Sequence, residues 1–259
     1  MELLTPKRKT WLYQVNPALK FISFMLMLLV ILFTQNVNTA CWQMILFLIL
    51  LYLLSGHGWK RMLLFTAPFL LIFFSSAFAL ILFGRGETVW WQWGLIKISK
   101  ESFQHGLLVG FKTLSFGALG LLFGLTTKPV KLFYALMQQL KLSPKYAYSF
   151  MAAIRMLPMV MQDFQQRSDA LKVRGVQYSR GMRGIYERIK AYSVPLLAQS
   201  IRRAQRVATA MEAKRFQMNA ARTYYYPLRY SSVDALFVIV MIACAAAFYS
   251  LSAFFPIVS

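Results

Sequence analysis

Residues 104–133 read QHGLLVGFKTLSFGALGLLFGLTTKPVKLF, and the change of character inside them decides how the chain is read. As far as Leu125 the stretch is apolar and rich in glycine; from Lys128 it is basic and carries Pro129. A helix rises about 1.5 Å per residue, so about 20 apolar residues cross a hydrocarbon core of about 30 Å. Residues 104–125 therefore predict a membrane span, and Lys128 marks where the chain leaves it. At about 100° per residue, Gly106, Gly110, Gly117, Gly120 and Gly124 share a narrow arc, with Thr113 filling the gap. Gly106 with Gly110, and Gly120 with Gly124, are G-x-x-x-G pairs. Without Cβ atoms, backbones approach closely and gain dispersion contacts that lipid cannot better. Such a face suits packing within the chain or docking of another membrane protein. Lys112, on the opposite face, either snorkels or meets a polar partner, because a bare charge in lipid is costly.

The same contrast holds over the whole chain. Of 259 residues, 58% are apolar, and the mean hydropathy is +0.52, which places the chain among membrane proteins. Four further apolar segments, at 18–33, 40–55, 62–83 and 233–255, read as helices. The first two hold about 16 residues each, short for a full crossing, and a polar turn at 34–39 joins them. The expected fold is all-α: a polytopic membrane protein with about five transmembrane helices and a cytoplasmic domain of long amphipathic helices. Its expected divisions are a region of four spans at 1–127, the cytoplasmic domain at 128–230, and a last transmembrane helix at 231–259. The basic N-terminus lacks a small-x-small cleavage site, so a first span follows it rather than a removed signal peptide.

Lysine and arginine set the expected orientation. Lys7, Arg8, Lys9 and Lys20, then Lys60 and Arg61, then everything basic after 128, fall on one side if the N-terminus is cytoplasmic. The other side receives the turn at 34–39, the loop at 84–103 and the uncharged C-terminus. Trp90, Trp91 and Trp93 of that loop suit the headgroup level. The formal net charge is +21. Between Lys128 and Arg229 stand nineteen Lys and Arg against Asp163, Asp169, Glu187 and Glu212, a net +15. Positive-inside bias accounts for such charge in general; a cationic island of this size also suits a device that meets another molecule.

Three helices are predicted inside the island. The first, 128–140, has Pro129 in its first turn and an apolar stripe of Leu132, Phe133, Leu136, Met137 and Leu140, the pattern of a helix at a membrane surface. The second starts at Ser143-Pro144, runs to Val173 and stops at Gly175. Pro158 within it predicts a kink or break that leaves 159–174 as an independent arm. The third runs from Ser193-Val194-Pro195 to Phe216, and 177–192, with Gly181 and Gly184, reads as a turn and a short helix. The second and third helices end in similar runs, Lys172-Val173-Arg174-Gly175 and Ala213-Lys214-Arg215-Phe216. A cation there favours the helix dipole by about 0.3–1 kcal/mol. A lever tipped with a guanidinium or ammonium also donates directed hydrogen bonds to carbonyls or acids of a partner.

Catalytic patterns are missing. No G-x-x-x-x-G-K-[ST] cradles phosphates. His57 and His105 lack neighbours at ligand spacing, and Asp163 and Asp169 fall on different helix faces. No Ser-His-Asp set stands out, and no cluster of carboxylates suits Mg²⁺. Cys41 and Cys244 sit in apolar runs without a C-x-x-C, as packing residues do. The chain reads as non-enzymatic.

Five motifs then fall in a telling order: Asn16-Pro17-Ala18-Leu19-Lys20-Phe21, Lys141-Leu142-Ser143-Pro144, Arg155-Met156-Leu157-Pro158, Asp169-Ala170-Leu171-Lys172-Val173-Arg174-Gly175 and Ala210-Met211-Glu212-Ala213-Lys214-Arg215-Phe216. In this order they resemble the transmembrane (T) component of energy-coupling factor transporters, the family of the cobalt-transport membrane protein. The resemblance covers most of the chain and is strongest from 128 to 220. It implies a membrane scaffold in a bacterial or archaeal cell membrane whose two cytoplasmic coupling helices each insert a short tip into a groove of an ABC-type ATPase. The tips correspond to Val173, Arg174 and Gly175, and to Ala213, Lys214 and Arg215. ATP and Mg²⁺ are then used by the two ATPases, with no cofactor on this chain. The motion passes to a membrane-embedded substrate-binding subunit that delivers a vitamin, a vitamin precursor or a transition metal. That subunit is a candidate for the glycine face of 106–124. The resemblance implies no nucleic-acid partner. The second tip departs from the family pattern: Lys214 stands where arginine is expected and Arg215 where glycine is. The alternative is a membrane-anchored module that binds anionic lipid or nucleic acid through its basic face, with strong salt dependence and no special role for the tips.

Overall fold

The computed structural model describes residues 10–84, 88–93, 96–217, 224 and 227–256. After a single 3-10 turn at Trp11–Tyr13 come α1 (Pro17–Phe33), α2 (Val37–Leu54), α3 (Trp59–Phe83), β1 (Val89–Trp93), β2 (Ile96–Ser99), α4 (Lys100–Thr126), α5 (Pro129–Gln139), α6 (Pro144–Val173), α7 (Met182–Ala213) and α8 (Ser232–Phe254). The expected all-α membrane architecture holds, with one small hairpin added. Lys7, Arg8, Lys9 and the side chains of Trp90, Trp91 and Trp93, used above for orientation and headgroup anchoring, lie outside the described residues. The chain forms two compact units, one of residues 1–135 with 228–259 and one of residues 136–227.

In the first unit α2, α3, α4 and α8 are long and apolar enough to cross a membrane. The 17 residues of α1 make a shorter apolar helix. α4 packs against α1, α2 and α3, while α8 packs against α1 and α2. The shared core holds Phe24, Phe47, Leu119, Leu122, Phe237 and Phe248. Phe24 sets its ring edge-on to Phe123 and Phe237, at 5.7 and 5.9 Å between centroids, the arrangement the ring quadrupole favours. Lys112 donates to the Leu32 carbonyl at 3.0 Å. Of its two expected solutions it takes the polar partner, a carbonyl left over at the end of α1.

The segment expected as a plain loop at 84–103 contains β1 and β2, an antiparallel pair that aligns Trp91 with Ile98 and Trp93 with Ile96. Its composition carried the signal: Val-Trp-Trp-Gln-Trp and Ile-Lys-Ile-Ser are β-branched and aromatic stretches. Ser99 ends β2 and caps α4, its Oγ accepting from the Ser102 N–H at 3.2 Å.

A buried polar knot closes one end of this unit. Asn16 caps α1 through its side chain, which accepts from the Ala18 N–H at 3.0 Å, and its own N–H donates to Asp234 Oδ1 at 2.6 Å. The other oxygen of Asp234 accepts from the Ser231 N–H at 2.8 Å and completes a capping box on α8. Lys20, 1% exposed, donates to the carbonyl of Leu12 at 2.7 Å and to both the carbonyl and hydroxyl oxygens of Thr126 at 3.3 Å. Thr126 is the last residue of α4, so the ammonium serves carbonyls that an isolated helix end leaves unpaired.

In the second unit two sequence expectations are corrected. Pro158 does not break its helix: α6 runs unbroken from Pro144 to Val173, so 159–174 is not a separate arm. The third helix does not begin near Pro195: α7 starts at Met182 and takes in that proline. A proline forfeits one N–H bond and crowds one carbonyl, and here the turns on either side keep the helix continuous. The early start of α7 has its own anchor. Gly181 adopts φ +80° before the helix, and Glu187 reaches back to accept from the N–H and hydroxyl of Ser179 at 3.3 and 3.0 Å. The Ser179 N–H and hydroxyl, then Arg183, hold the Glu187 carboxyl below its usual pKa.

α6 and α7 lie antiparallel. Asp163 pairs with Arg203 at 3.0 Å, Arg167 donates to the Ala191 carbonyl at 2.7 Å, and Tyr192 meets both Ser168 and the ring of Phe164. Further along, Tyr148 and Phe216 meet edge to face at 5.5 Å.

Candidate functional site

Both basic tips are built by one backbone motif. At the end of α6, the N–H of Arg174 donates to the carbonyl of Ala170 at 3.1 Å, that of Gly175 to Lys172 at 3.0 Å, and that of Val176 to Leu171 at 3.2 Å. At the end of α7, the N–H of Lys214 donates to Ala210 at 3.1 Å, that of Arg215 to Glu212 at 2.8 Å, and that of Phe216 to Met211 at 3.0 Å. These are two Schellman caps, matched bond for bond. They align Val173 with Ala213, Arg174 with Lys214, and Gly175 with Arg215.

The motif needs a left-handed residue after the cap, and Gly175 and Arg215 supply it at φ +64° and +53°. Glycine adopts that conformation freely; a residue with a Cβ pays about 1 kcal/mol or more for it. Arg215 is therefore a strained residue at a helix tip, the kind of outlier that collects at functional sites.

The antiparallel pairing sends the tips to opposite ends of the second unit. Arg174 sits where α6 turns toward α7, whereas Phe216, beside the second tip, meets Tyr148 near the start of α6. The 26 residues from Tyr148 to Val173 would span up to about 40 Å as a straight helix. At the first tip Val173 is 89% exposed, and Lys172 is paired with Asp169 at 3.2 Å. At the second, Arg206, Val207, Ala210, Met211, Lys214 and Phe216 line an open groove of about 520 Å³.

The glycine face divides. A Cβ on Gly106 would press on Ile81 and Ala77, one on Gly110 on the ring of Phe73, and one on Gly117 on the ring of Phe69. These three glycines seat α3 within the chain. Gly120 and Gly124 have nothing within 4 Å of a Cβ position and face outward.

The acids weighed as metal ligands are both matched to cations, Asp163 to Arg203 and Asp169 to Lys172. Among the described residues no three His, Cys, Asp or Glu side chains gather to hold a metal ion. Two features escaped the sequence reading. The Lys20–Asp234 knot joins residues over 200 apart; the Asn16-Pro17 cap and a lysine in the first turn of an apolar helix were local signals, but nothing in the sequence tied them to Asp234. The other is an exposed apolar stripe on α7, with Met182, Ile185, Ile189, Leu197 and Ile201 each more than half exposed. Its spacing of three, four and eight residues was legible, but a break placed near 193 divided it.

Membrane-length helices in one unit and two matched basic helix ends in the other define the class: a polytopic membrane protein with a unit of long helices that end in basic caps. Residues 8–225 match the model of the cobalt transport protein family, CbiQ, and the chain belongs to that family. It is 27% identical over 242 residues to the energy-coupling factor transporter transmembrane protein EcfT of Streptococcus equi, covering 89% of this chain and 88% of that protein. The EcfT proteins of Lacticaseibacillus paracasei and Bacillus subtilis are 26% and 25% identical, over 87% and 93% of this chain and 88% and 94% of theirs.

Proposed function

We propose that this chain is the energy-coupling scaffold of an energy-coupling factor importer, a non-catalytic subunit of the cell membrane. Its cytoplasmic coupling domain, at about 128–230 and containing the second unit, inserts the tips Val173-Arg174-Gly175 and Ala213-Lys214-Arg215 into two ABC-type ATPases. Those ATPases use ATP and Mg²⁺, and a membrane substrate-binding subunit receives the motion and releases a vitamin, a vitamin precursor or a transition metal inside the cell. The N-terminus is cytoplasmic and the C-terminus outside.

The observation that carries this reading is the pair of bond-for-bond matched caps at opposite ends of one antiparallel helix pair. A Schellman cap ends a helix abruptly and holds the cap side chain clear of the barrel. A pair of levers needs rigid shafts, and α6 and α7, unbroken through their prolines and tied by the part-buried Asp163–Arg203 pair, supply them. The open Gly120 and Gly124 and the apolar stripe of α7 are the surfaces left for the substrate-binding subunit.

Co-purification from detergent extracts tests the reading. The wild-type chain retains both ATPases, and Arg174→Glu with Lys214→Glu releases them, because two charge-assisted contacts become repulsions. Full retention by the double variant overturns the coupling role. Retention lost gradually with salt and insensitive to the two tips favours the lipid- or nucleic-acid-binding alternative.

A further inference from the structure

The matched caps make the second tip's difference meaningful. Where α6 places Gly175, α7 places Arg215 in the same left-handed conformation, with the same hydrogen bonds on either side. The chain thus uses the unstrained residue at one tip and a strained one at the other. Nothing in the fold around Arg215 offsets the difference: the side chain is exposed and makes no ion pair with a described acid. The local charge differs too. At the first tip Lys172 is neutralised by Asp169, which leaves Arg174 as the presented cation. At the second, Lys214 and Arg206 line one groove, Arg215 follows Lys214 in the chain, and Glu212 is the acid of that turn. Beside them the groove floored by Val207, Ala210, Met211 and Phe216 is walled by α7 and its own cap. The cleft nearest the first tip is shared with the other helix, through Tyr178 and Tyr192.

Resting on the coupling role proposed above, we infer that Arg215 selects the partner of the second tip, so that the two tips are not interchangeable. The ATPase surface that receives the second tip carries a carboxylate facing Arg215 and an apolar side chain that enters the groove behind Lys214. The surface that receives the first tip needs to answer a single cation. A left-handed arginine leaves the helix end along a different Cα–Cβ direction from a right-handed one, so the partner's carboxylate is recognised by geometry as well as by charge. The two ATPase sites are therefore chemically distinct, and the complex assembles in one orientation.

The test uses the full-length chain co-expressed with its ATPase subunits, with a photo-crosslinking residue at Val173 or at Ala213 to read which ATPase polypeptide, or which half of one, sits at each tip. Arg215→Gly keeps the cap geometry and removes its strain, so its unfolding midpoint should equal or exceed that of the wild type. Its crosslinking at position 213 should fall about tenfold, the loss of one charge-assisted hydrogen bond, with crosslinking at 173 unchanged. Exchanging the tips (Arg174→Lys, Gly175→Arg, Lys214→Arg and Arg215→Gly together) should swap or abolish the crosslinked species. Wild-type crosslinking in Arg215→Gly, or an unchanged pattern after the exchange, overturns the inference. The Arg174→Glu, Lys214→Glu variant separates the two failures: if it still releases the ATPases, only the selectivity of Arg215 is lost; if it retains them, the coupling role itself has failed.

Discussion

Lys20 shows how much one side chain decides. Its ammonium is buried among the carbonyls of Leu12 and Thr126 and the Thr126 hydroxyl, while Asp234 close by is occupied with the N–H groups of Asn16 and Ser231. Lys20→Met leaves the volume nearly filled but strands three acceptors. Each unpaired buried group costs about 1–3 kcal/mol. The expected outcome is a clear fall in the unfolding midpoint of the purified protein, read by tryptophan fluorescence. An unchanged midpoint would show that the acceptors find other donors. The sequence carried half of this knot: Asn16-Pro17 is a readable cap, and Lys20 is conspicuous in an apolar helix. Asp234 fits a local pattern, the capping box Ser231-x-x-Asp234, but its bond to the Asn16 N–H does not, because a capping box looks the same whether or not a third residue uses its carboxylate.

At the scale of the element, the glycines of α4 separate two roles that periodicity merges. Gly117→Leu would drive a side chain into Phe69 and destabilise the α3–α4 packing by about 1–3 kcal/mol or more. Gly124→Leu meets open space and leaves the isolated chain's stability within about 0.5 kcal/mol. Thermal unfolding of both variants checks the pair, and equal losses would contradict the close approach at Gly117. At the start of α7, the depressed pKa of Glu187 has a consequence with a definite sign. Its contribution is complete above the unfolded carboxylate range and lost as pH falls through the lower folded value. The Ser179 amide, which donates to that carboxylate, should keep its exchange protection at neutral pH and lose it only below the range where an ordinary glutamate titrates. Loss at neutral pH would mean that the anchor is not Glu187. The prolines show where element-level reading fails. Pro158 and Pro195 are strong local breakers, yet α6 and α7 run through them and are held by Asp163, Arg167 and Tyr192 across the pair.

For the whole molecule, the distribution of charge makes an orientation testable. The turn with Gln35 and Asn36 is expected outside, and the segment with Arg180 inside. Cys41 and Cys244 are buried, so added cysteines report alone. In intact cells a membrane-impermeant thiol reagent should label Gln35→Cys and spare Arg180→Cys until the membrane is opened; the reverse order would invert the topology. Tertiary coupling between the tips belongs to this scale as well. Removing Asp163, which is 13% exposed against Arg203, unties the pair near its middle and strands a part-buried guanidinium. Asp163→Ala should lower ATP-driven uptake more than it lowers ATPase binding, because each tip keeps its own cap.

Periodicity, hydropathy and turn residues by themselves determined the membrane class, the apolar helices and the position in the chain of the two basic runs. Each of those depends on neighbours within a few turns, where burial in lipid and the needs of a helix end are written locally. Only the tertiary structure decided that Lys20 and Asp234 close one knot, and that three glycines of α4 take α3 while two stay open. It also decided that α6 and α7 hold their prolines within continuous helices, with their tips at opposite ends of an antiparallel pair. The alignment of Gly175 with Arg215 came last of all: a left-handed arginine is invisible in a sequence, because the hydrogen bonds that impose it are visible only once the helix end has formed.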